Sequence, residues 1–281
     1  MKKALIALVA VLAAALIGLG AWGLYLLTEP APPAASSSAQ TGLGTKNGDG
    51  DRQPAINQTP LTGADVLQAI GNAKKVNADT IGWLKVPGTN IDNCVLQSHD
   101  NEYYLRKTER KEYDVYGCYF ADYECDFGGR DALSPNTVIY GHSDLKNDPN
   151  GYRFSQLFHF TDETFARNTP YIYFSTDKEY MIWQVFAVFY TDTGMDYIVI
   201  DQTAEQLEAL IAEAREKSLY QYEVQASGTD KILCLSTCSV KYGGRPDERF
   251  VVMARLLPPD AELSGTAVFT VNPSPRQPDF S

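Results

Sequence analysis

Three residues of chemically useful types stand where apolar runs of the sequence give way to polar loops. Cys238 ends the run KILCLSTC, His142 follows the run NTVIY after one glycine, and Arg249 opens the run RFVVMARL. A cysteine attacks as its thiolate and needs an acid–base partner, which a histidine can supply. A planar guanidinium can hold an oxygen that becomes negative during such an attack. Together the three residues predict a thiol nucleophile with its partners.

Each of these residues taken alone also has an ordinary structural explanation. An isolated cysteine is most often a small core residue, and Cys234, in the middle of the same apolar run, fits that description. A histidine after a strand, or an arginine before one, is most often a solvated loop residue. His99 lies in a polar loop and His159 in an apolar helical stretch, and neither indicates a site.

The elements expected to position these residues are mostly strands. Between residues 61 and 257, short runs rich in Val, Ile, Tyr and Phe alternate with turn signals such as Pro87-Gly88. Residues 62–76 predict an amphipathic helix, and TAEQLEALIAEAREKSLY predicts another between the runs YMIWQVFAVFY and KILCLSTC. Roughly eight strands with few helices indicate a closed barrel or a sandwich.

The beginning of the chain predicts a membrane anchor over residues 1–27. Residues 4–27 carry no charge and are long enough to cross a bilayer as a helix, with Trp22 and Tyr25 near the outer end. Lys2 and Lys3 place the N-terminus in the cytoplasm. The alternative is a cleaved signal peptide, with PAPPAA as the source of a cleavage site. Both interpretations export the rest of the chain.

Two further segments are expected to lie outside the folded domain. Residues 28–60 are rich in Pro, Ala, Ser and Gly and predict a disordered tether. Residues 258–281 contain five prolines and predict a loose tail, in which TAVFTV could contribute one short strand. The folded domain is therefore expected to span residues 61–257.

Composition excludes some functions. The 281 residues carry a net charge of −11 and no basic patch, which argues against nucleic acid as a partner. Five cysteines are an odd number, so at least one is unpaired within a single chain, and the sequence does not say whether the others form disulfides. Three scattered histidines and no CxxC pair argue against a zinc site. No metal or cofactor is expected.

The segment LSTC followed by RFVV resembles the signature of the sortases, and specifically of class B. The signature matches at Leu235, Thr237, Cys238 and Arg249, and the histidine stands in a YGH element at residues 140–142. Other class B-like stretches are IGWLKVPGTNID, DNEYYL, FADY and GYRFSQLFHF. The resemblance covers residues 61–257.

This resemblance implies a fold and a reaction. The fold would be mostly β, a closed eight-stranded barrel with an N-terminal helix and a helix between the sixth and seventh strands. The chain would be a membrane-anchored, single-pass cysteine transpeptidase of a Gram-positive surface, with its catalytic domain extracellular. Cys238 would cleave a sorting signal of exported proteins after Thr, and His142 and Arg249 would assist it. An amine of a peptidoglycan precursor or of a pilin lysine would then accept the acyl group.

Two site residues and two rival functions complete the sequence-based expectations. Ser236 and Thr237, just before Cys238, are expected to contact the substrate. An exported cysteine hydrolase is the main alternative, although papain-like enzymes place the cysteine before the histidine and at a helix start. A non-catalytic surface-binding module is a second alternative. The sequence of the sorting signal, the acceptor amine, and the choice between wall anchoring and pilus assembly stay open.

Overall fold

The computed structural model describes residues 62–280, and within them ten strands form the framework. The strands are β1 Thr80–Lys85, β2 Asp92–Leu96, β3 Phe120–Ala121, β4 Asn136–Tyr140, β5 Tyr171–Thr176, β6 Ile182–Asp192, β7 Tyr220–Tyr222, β8 Ile232–Cys238, β9 Glu248–Leu256 and β10 Phe269–Val271. Eight of them close into a barrel in the order β1-β2-β3-β4-β8-β9-β6-β5, while β7 and β10 pair separately. The expected eight-stranded barrel is confirmed.

Three α-helices accompany the strands in the same part of the chain. They are α1 Gly63–Val76, α2 Glu163–Asn168 and α3 Ala204–Lys217, and the 3-10 helices are Arg130–Ala132, Arg153–Thr161 and Asp196–Ile198. α1 and α3 begin after Thr62 and Thr203, and each threonine forms a reciprocal capping pair with the residue three positions on. α3 joins β6 to β7 and precedes β8, so it lies between the sixth and seventh strands of the barrel, as expected.

β8 is the strand that runs from the barrel interior to the candidate site. Every residue from Ile232 to Thr237 is buried, and only Cys238 at its end is exposed. The strand lies between β4, which is parallel to it, and β9, which is antiparallel. A strand covered on both faces is apolar along its whole length rather than at alternate positions. This explains why KILCLSTC contains no charged residue after Lys231.

The residues after β9 pack against the domain. β10 pairs with β7 inside the stretch TAVFTV, with Phe269 opposite Tyr222. Further on, Arg276 Nη2 lies 2.7 Å from a carboxylate oxygen of Glu213 on α3. The segment expected to be a loose tail therefore makes defined contacts with the domain.

The predicted anchor, residues 1–27, and the predicted tether, residues 28–60, lie outside the described residues. Within residues 62–280 no helix combines the length and the apolar character needed to cross a membrane. Anchor and tether stay predictions.

Candidate active site

Pairing between neighbouring strands places the three sequence-predicted residues side by side. β4 and β8 run parallel with Tyr140 opposite Ser236, and just beyond this pair His142 and Cys238 line the same pocket. On the other side of β8, Cys238 pairs directly with Arg249 of β9. Neighbouring strands lie about 4.8 Å apart, and directly opposed residues project to the same face. Cys238 therefore stands between a histidine and an arginine at one end of the barrel.

Side-chain hydrogen bonds fix the histidine segment to the cysteine strand. Thr237 Oγ1 donates to the carbonyl of Gly141 at 2.8 Å, and Ser143 Oγ donates to the carbonyl of Cys238 at 2.7 Å. These bonds lie on either side of the His142–Cys238 pair along the chain. They hold the two backbones in register where the strands end and ladder bonds no longer do so.

His142, Cys238 and Arg249 line a pocket of about 250 Å³. Its wall also includes residues that the sequence did not single out: Asn101, Leu105, Thr193, Tyr197 and Ile198. The pocket is narrow, apolar for the most part, and open to solvent beside the exposed thiol of Cys238. A larger cavity of about 640 Å³ lies around Trp83, between α1 and the first two strands, and contains none of the three predicted residues.

Ser236 and Thr237 are part of the pocket wall, but both are buried. The Ser236 hydroxyl is 3.0 Å from the hydroxyl of Tyr197, and the Thr237 hydroxyl is bonded to Gly141. Both side chains thus hold the site together. Substrate contact by either residue stays a prediction.

His142 is oriented by a segment far from it in the sequence. Its Nε2 lies 2.7 Å from the carbonyl of Leu105. Because a carbonyl only accepts, Nε2 carries the hydrogen, and Nδ1 is the nitrogen left to exchange a proton. Arg106 Nη1 lies 3.1 Å from the same Nε2 while donating to the carbonyl of Val115. Two donors cannot share one hydrogen bond, so the arginine acts on the ring through its charge.

The electrostatic surroundings of His142 disfavour the imidazolium. Burial lowers the pKa of the ring below its ordinary value of 6.5, and the positive charge of Arg106 lowers it further. The Leu105 carbonyl opposes both effects by stabilising the protonated ring. The net result is a histidine that is mostly neutral near neutrality.

Gly141, directly before the histidine, packs closely against two buried aromatic rings. A Cβ at this position would lie 2.8 Å from the ring of Phe154 and 3.1 Å from that of Tyr119. The two rings therefore require a glycine at this strand end.

Arg249 is held by the loop that precedes it. Its Nη1 donates to the carbonyl of Pro246 at 2.8 Å and to that of Glu248 at 2.9 Å. Within the described part of the chain, Nε and Nη2 are left free to donate to a ligand. The guanidinium is therefore anchored through one nitrogen and available through two.

The other cysteines and histidines lie elsewhere. Cys94, Cys118, Cys125 and Cys234 are buried free thiols, so the described residues contain no disulfide. The side chain of His99 is 83% exposed beside Asp100, and the ring of His159 stacks on Phe165 with the centroids 5.0 Å apart. Residues 62–280 contain no group of three or more His, Cys, Asp or Glu side chains arranged to hold a metal ion.

Comparison with known proteins gives consistent relatives. No family model matches the chain. The chain is 31% identical over 184 residues to Sortase B of Listeria monocytogenes, an alignment that covers 65% of this chain and 72% of that protein.

Solved structures agree with this relative. The fold is similar to that of a Staphylococcus aureus sortase B–substrate complex, with a TM-score of 0.61 and 28% identity over 69% of this chain and 87% of that chain. It is also similar to a sortase B complexed with triglycine, with a TM-score of 0.59 and 28% identity over 68% and 86% of the two chains.

Proposed function

Because the chain belongs to the class B sortases, we propose that it is a cysteine transpeptidase that moves an acyl group from a sorting-signal peptide to an amine. The observation that carries the proposal is the position of Cys238, exposed at the end of β8, paired with Arg249 and lining one pocket with His142. A nucleophile, a proton carrier and a planar cation are the groups that acyl transfer through a thioester requires.

In the first step the thiol of Cys238 gives its proton to Nδ1 of His142, and the resulting thiolate attacks the carbonyl carbon of the scissile peptide bond. A carbon–sulfur bond forms and the carbonyl oxygen becomes negative. Arg249 is the cation beside that oxygen, and its free Nε and Nη2 can donate to it while Nη1 stays bonded to the loop. The anchoring carbonyls keep the guanidinium in place before the substrate arrives, so little reorganisation is needed.

In the second step the tetrahedral intermediate collapses and the carbon–nitrogen bond breaks. His142 donates a proton from Nδ1 to the departing amine, while Nε2–H stays bonded to the Leu105 carbonyl. The acceptor amine then attacks the thioester, gives a proton back to Nδ1, and expels the Cys238 thiolate. The same nitrogen thus gives a proton to the departing amine and takes one from the acceptor amine.

The substrate would be a sorting signal of exported proteins, cleaved after Thr, and the acceptor an amine of a cell-wall precursor or a pilin. A substrate complex and a triglycine complex of other sortase B structures support a peptide site and an amine site. The uncharged run 4–27 after Lys2 and Lys3 supports a membrane anchor with an extracellular catalytic domain. Both substrates would then meet the enzyme at the outer face.

The test is to incubate the purified full-length protein in detergent with sorting-signal peptides, with and without triglycine. Transfer product with triglycine, and a mass increase on the protein corresponding to an acyl group on Cys238, are the expected results. Cleavage that yields only the free acid at every amine concentration would replace transpeptidation by the rival cysteine hydrolase. If no peptide of a sorting-signal library is cleaved or acylates Cys238, the result would favour the non-catalytic binding module.

A further inference from the structure

The loop between the two site strands has little packing of its own. This Cys–Arg loop, residues 239–247, joins Cys238 on β8 to β9 and contains Gly243 and Gly244 with φ of 104° and 72°. A Cβ added at Gly243 would meet open space, and most of the loop is exposed. Exposed loops with few buried contacts open locally at low free-energy cost. Something else must hold this loop if Arg249 is to stay in place.

The base of the Cys–Arg loop is held from inside the barrel. Glu248 is fully buried, and its Oε1 accepts from the Ser239 hydroxyl at 2.7 Å and from the Tyr242 N–H at 2.9 Å. Asn147 Oδ1 accepts from the Val240 N–H at 3.0 Å. These bonds fix residues 239–242, but they do not reach the second half of the loop.

The second half of the loop is held at its end by the Thr193 N–H, which donates to the Asp247 carbonyl at 3.0 Å, and from outside by residues 272–280, which we call the strap. The guanidinium carbon of Arg245 lies 4.7 Å from the centre of the Phe280 ring, and its Nη2 donates to the Phe280 carbonyl at 3.2 Å. The Tyr242 ring lies 5.6 Å from the Phe280 ring, and its hydroxyl donates to the side chain of Gln277. Phe280 therefore contacts two loop side chains at once.

The strap is itself fixed to the domain before it reaches the loop. Asn272 Nδ2 donates to the carbonyl of Ser218 at 2.8 Å. Arg276 lies 2.7 Å from Glu213 and 3.3 Å from Glu216, and its N–H donates to the Glu216 carbonyl at 2.9 Å. The prolines at 273, 275 and 278 restrict the backbone between these contacts, which lowers the entropy lost when the segment docks.

The contacts continue from the strap to the candidate site. Arg245, held by Phe280, immediately precedes Pro246, whose carbonyl accepts from Arg249 Nη1 at 2.8 Å. The second carbonyl on that nitrogen belongs to Glu248, at 2.9 Å. A shift of the loop at residue 245 therefore moves an acceptor that holds the guanidinium beside Cys238.

We propose that the strap is a positioning element that fixes the Cys–Arg loop and, through the Pro246 carbonyl, the guanidinium of Arg249. The inference rests on the proposed role of Arg249 in acyl transfer. Phe280, Tyr242 and Arg245 are the residues that transmit the effect, and none of them needs to touch the substrate. The strap lies outside residues 61–257, the region where the sequence resembles the family.

The structural part of the inference is tested by hydrogen exchange on the full-length chain and on a chain that ends at Val271. Loss of the strap is expected to speed exchange of the Gly243 and Glu248 amides, which donate to the carbonyls of Val240 and Arg245, by about tenfold or more, while amides in the middle of β8 keep their protection. This measurement needs no catalytic activity, so it stands whether or not the protein transfers acyl groups. Unchanged exchange across residues 243–249 would overturn the proposal.

The functional part is tested by Phe280→Ala in two backgrounds. In the wild-type background kcat for peptide transfer is expected to fall about threefold to tenfold with little change in KM, since the strap acts on a group needed in the transition state. In an Arg249→Lys background, measured in single turnovers, Phe280→Ala is expected to have little further effect. A merely structural role would lower activity equally in both backgrounds, and that result would overturn the proposal.

The matched control is Thr270→Ala. Thr270 lies on β10, just before the strap, is exposed, and bonds through its side chain to the side chain of Gln221. Its loss is expected to change neither loop exchange nor kcat. If wild-type protein shows no transfer at all while the exchange result holds, the proposed function fails and the strap remains.

Discussion

Cys234 and Cys238 lie on the same strand, four residues apart, and differ in almost every physical respect. Cys234 is fully buried, its Sγ donates to Asn136 Oδ1 at 3.1 Å, and burial raises the pKa of its thiol far above the ordinary value. Cys238 is exposed at the end of the strand, opposite Arg249 and beside the segment that carries His142. One residue type thus occurs in the barrel interior and at the exposed end of a single strand.

The difference shows that position along the strand decides which polar and charged groups a cysteine meets. In the barrel interior a thiol has no charged partner, and ionisation would leave a charge in an apolar medium. At the barrel end the strands stop pairing, loops enter, and polar groups from three strands meet. Substitutions at Cys234 and Cys238 are therefore expected to have different effects.

The largest effect is expected from replacing the exposed thiol. Cys238→Ala should abolish peptide transfer and acyl-enzyme formation, because the covalent intermediate requires the sulfur, while the unfolding temperature stays close to that of the wild type. Transfer kinetics, mass spectrometry of the acyl-enzyme and thermal unfolding are the measurements. Cys234→Ala is the matched control and should keep substantial activity. Active Cys238→Ala together with inactive Cys234→Ala would reverse the assignment.

The second effect concerns the neighbour of Cys238 across the strand pair. Arg249→Lys is expected to lower kcat about 10²- to 10³-fold, nearly as much as Arg249→Ala, since removing one donor to a developing oxyanion costs roughly 2.7–4 kcal/mol. Lysine keeps the charge but has a single nitrogen, which cannot bond the loop carbonyls and the substrate in one planar geometry. Steady-state kinetics with a sorting-signal peptide test this. Near wild-type kcat in the lysine variant would remove the arginine from the mechanism.

A smaller effect is expected at the buried member of the cysteine pair. Cys234→Ala should lower the free energy of unfolding by about 1–2 kcal/mol, because it leaves a small cavity and removes the donor to Asn136. The midpoint temperature of thermal unfolding should then fall by a few degrees, with kcat unchanged. Cys234→Ser is the control because its hydroxyl can still donate to Asn136. A loss of activity without a loss of stability would contradict the division between the two cysteines.

The smallest effect concerns the pH profile. The pKa of His142 is lowered by burial first and by Arg106 second, so the folded protein loses the imidazolium at lower pH than a free histidine. Arg106→Gln removes one of these two causes and should raise that pKa. If the reacting state pairs a thiolate with an imidazolium, the acid limb of the kcat/KM profile should then move to higher pH and the plateau should rise.

The control for this prediction is Lys107→Gln. Lys107 is the next residue along the chain, but its ammonium lies over the Tyr103 ring, 3.4 Å from the ring centre. Its removal should leave the acid limb in place. If the acid limb does not move in Arg106→Gln, the charge of Arg106 does not influence the titration of His142, and the prediction is wrong.

The sequence predicted the barrel and many of its elements. The apolar run ending in Ser-Thr-Cys, the turn at Pro87-Gly88 and the two capped helices are local patterns, and the structure forms the corresponding elements. Cys234 was expected in the core and lies there. Local patterns were less informative about the tail, where only the short strand Phe269–Val271 could be expected from the sequence.

The partners of the site residues could not be predicted. Leu105 and Arg106 contact His142 across 37 and 36 positions of sequence. Leu105 ends the stretch DNEYYL, which was noticed only for its family resemblance, and Arg106 was not singled out at all. The strap contacts Arg245 across 35 positions through Phe280. Gly141 packs against Phe154, and nothing near the glycine in sequence indicates that contact. Each of these contacts joins two segments that are distant in sequence. The local sequence pattern of either segment does not reveal the contact.

The sequence by itself determined which residues end strands and which are buried, because alternation, apolar runs and turn residues act over a few positions of chain. It therefore placed Cys238, His142 and Arg249 at strand ends. Only the tertiary structure decided that β8 lies between β4 and β9, that the Leu105 carbonyl fixes the imidazole, and that a strap holds the Cys–Arg loop. Those outcomes depend on closing long loops and on packing the whole barrel, and no short stretch of sequence specifies them.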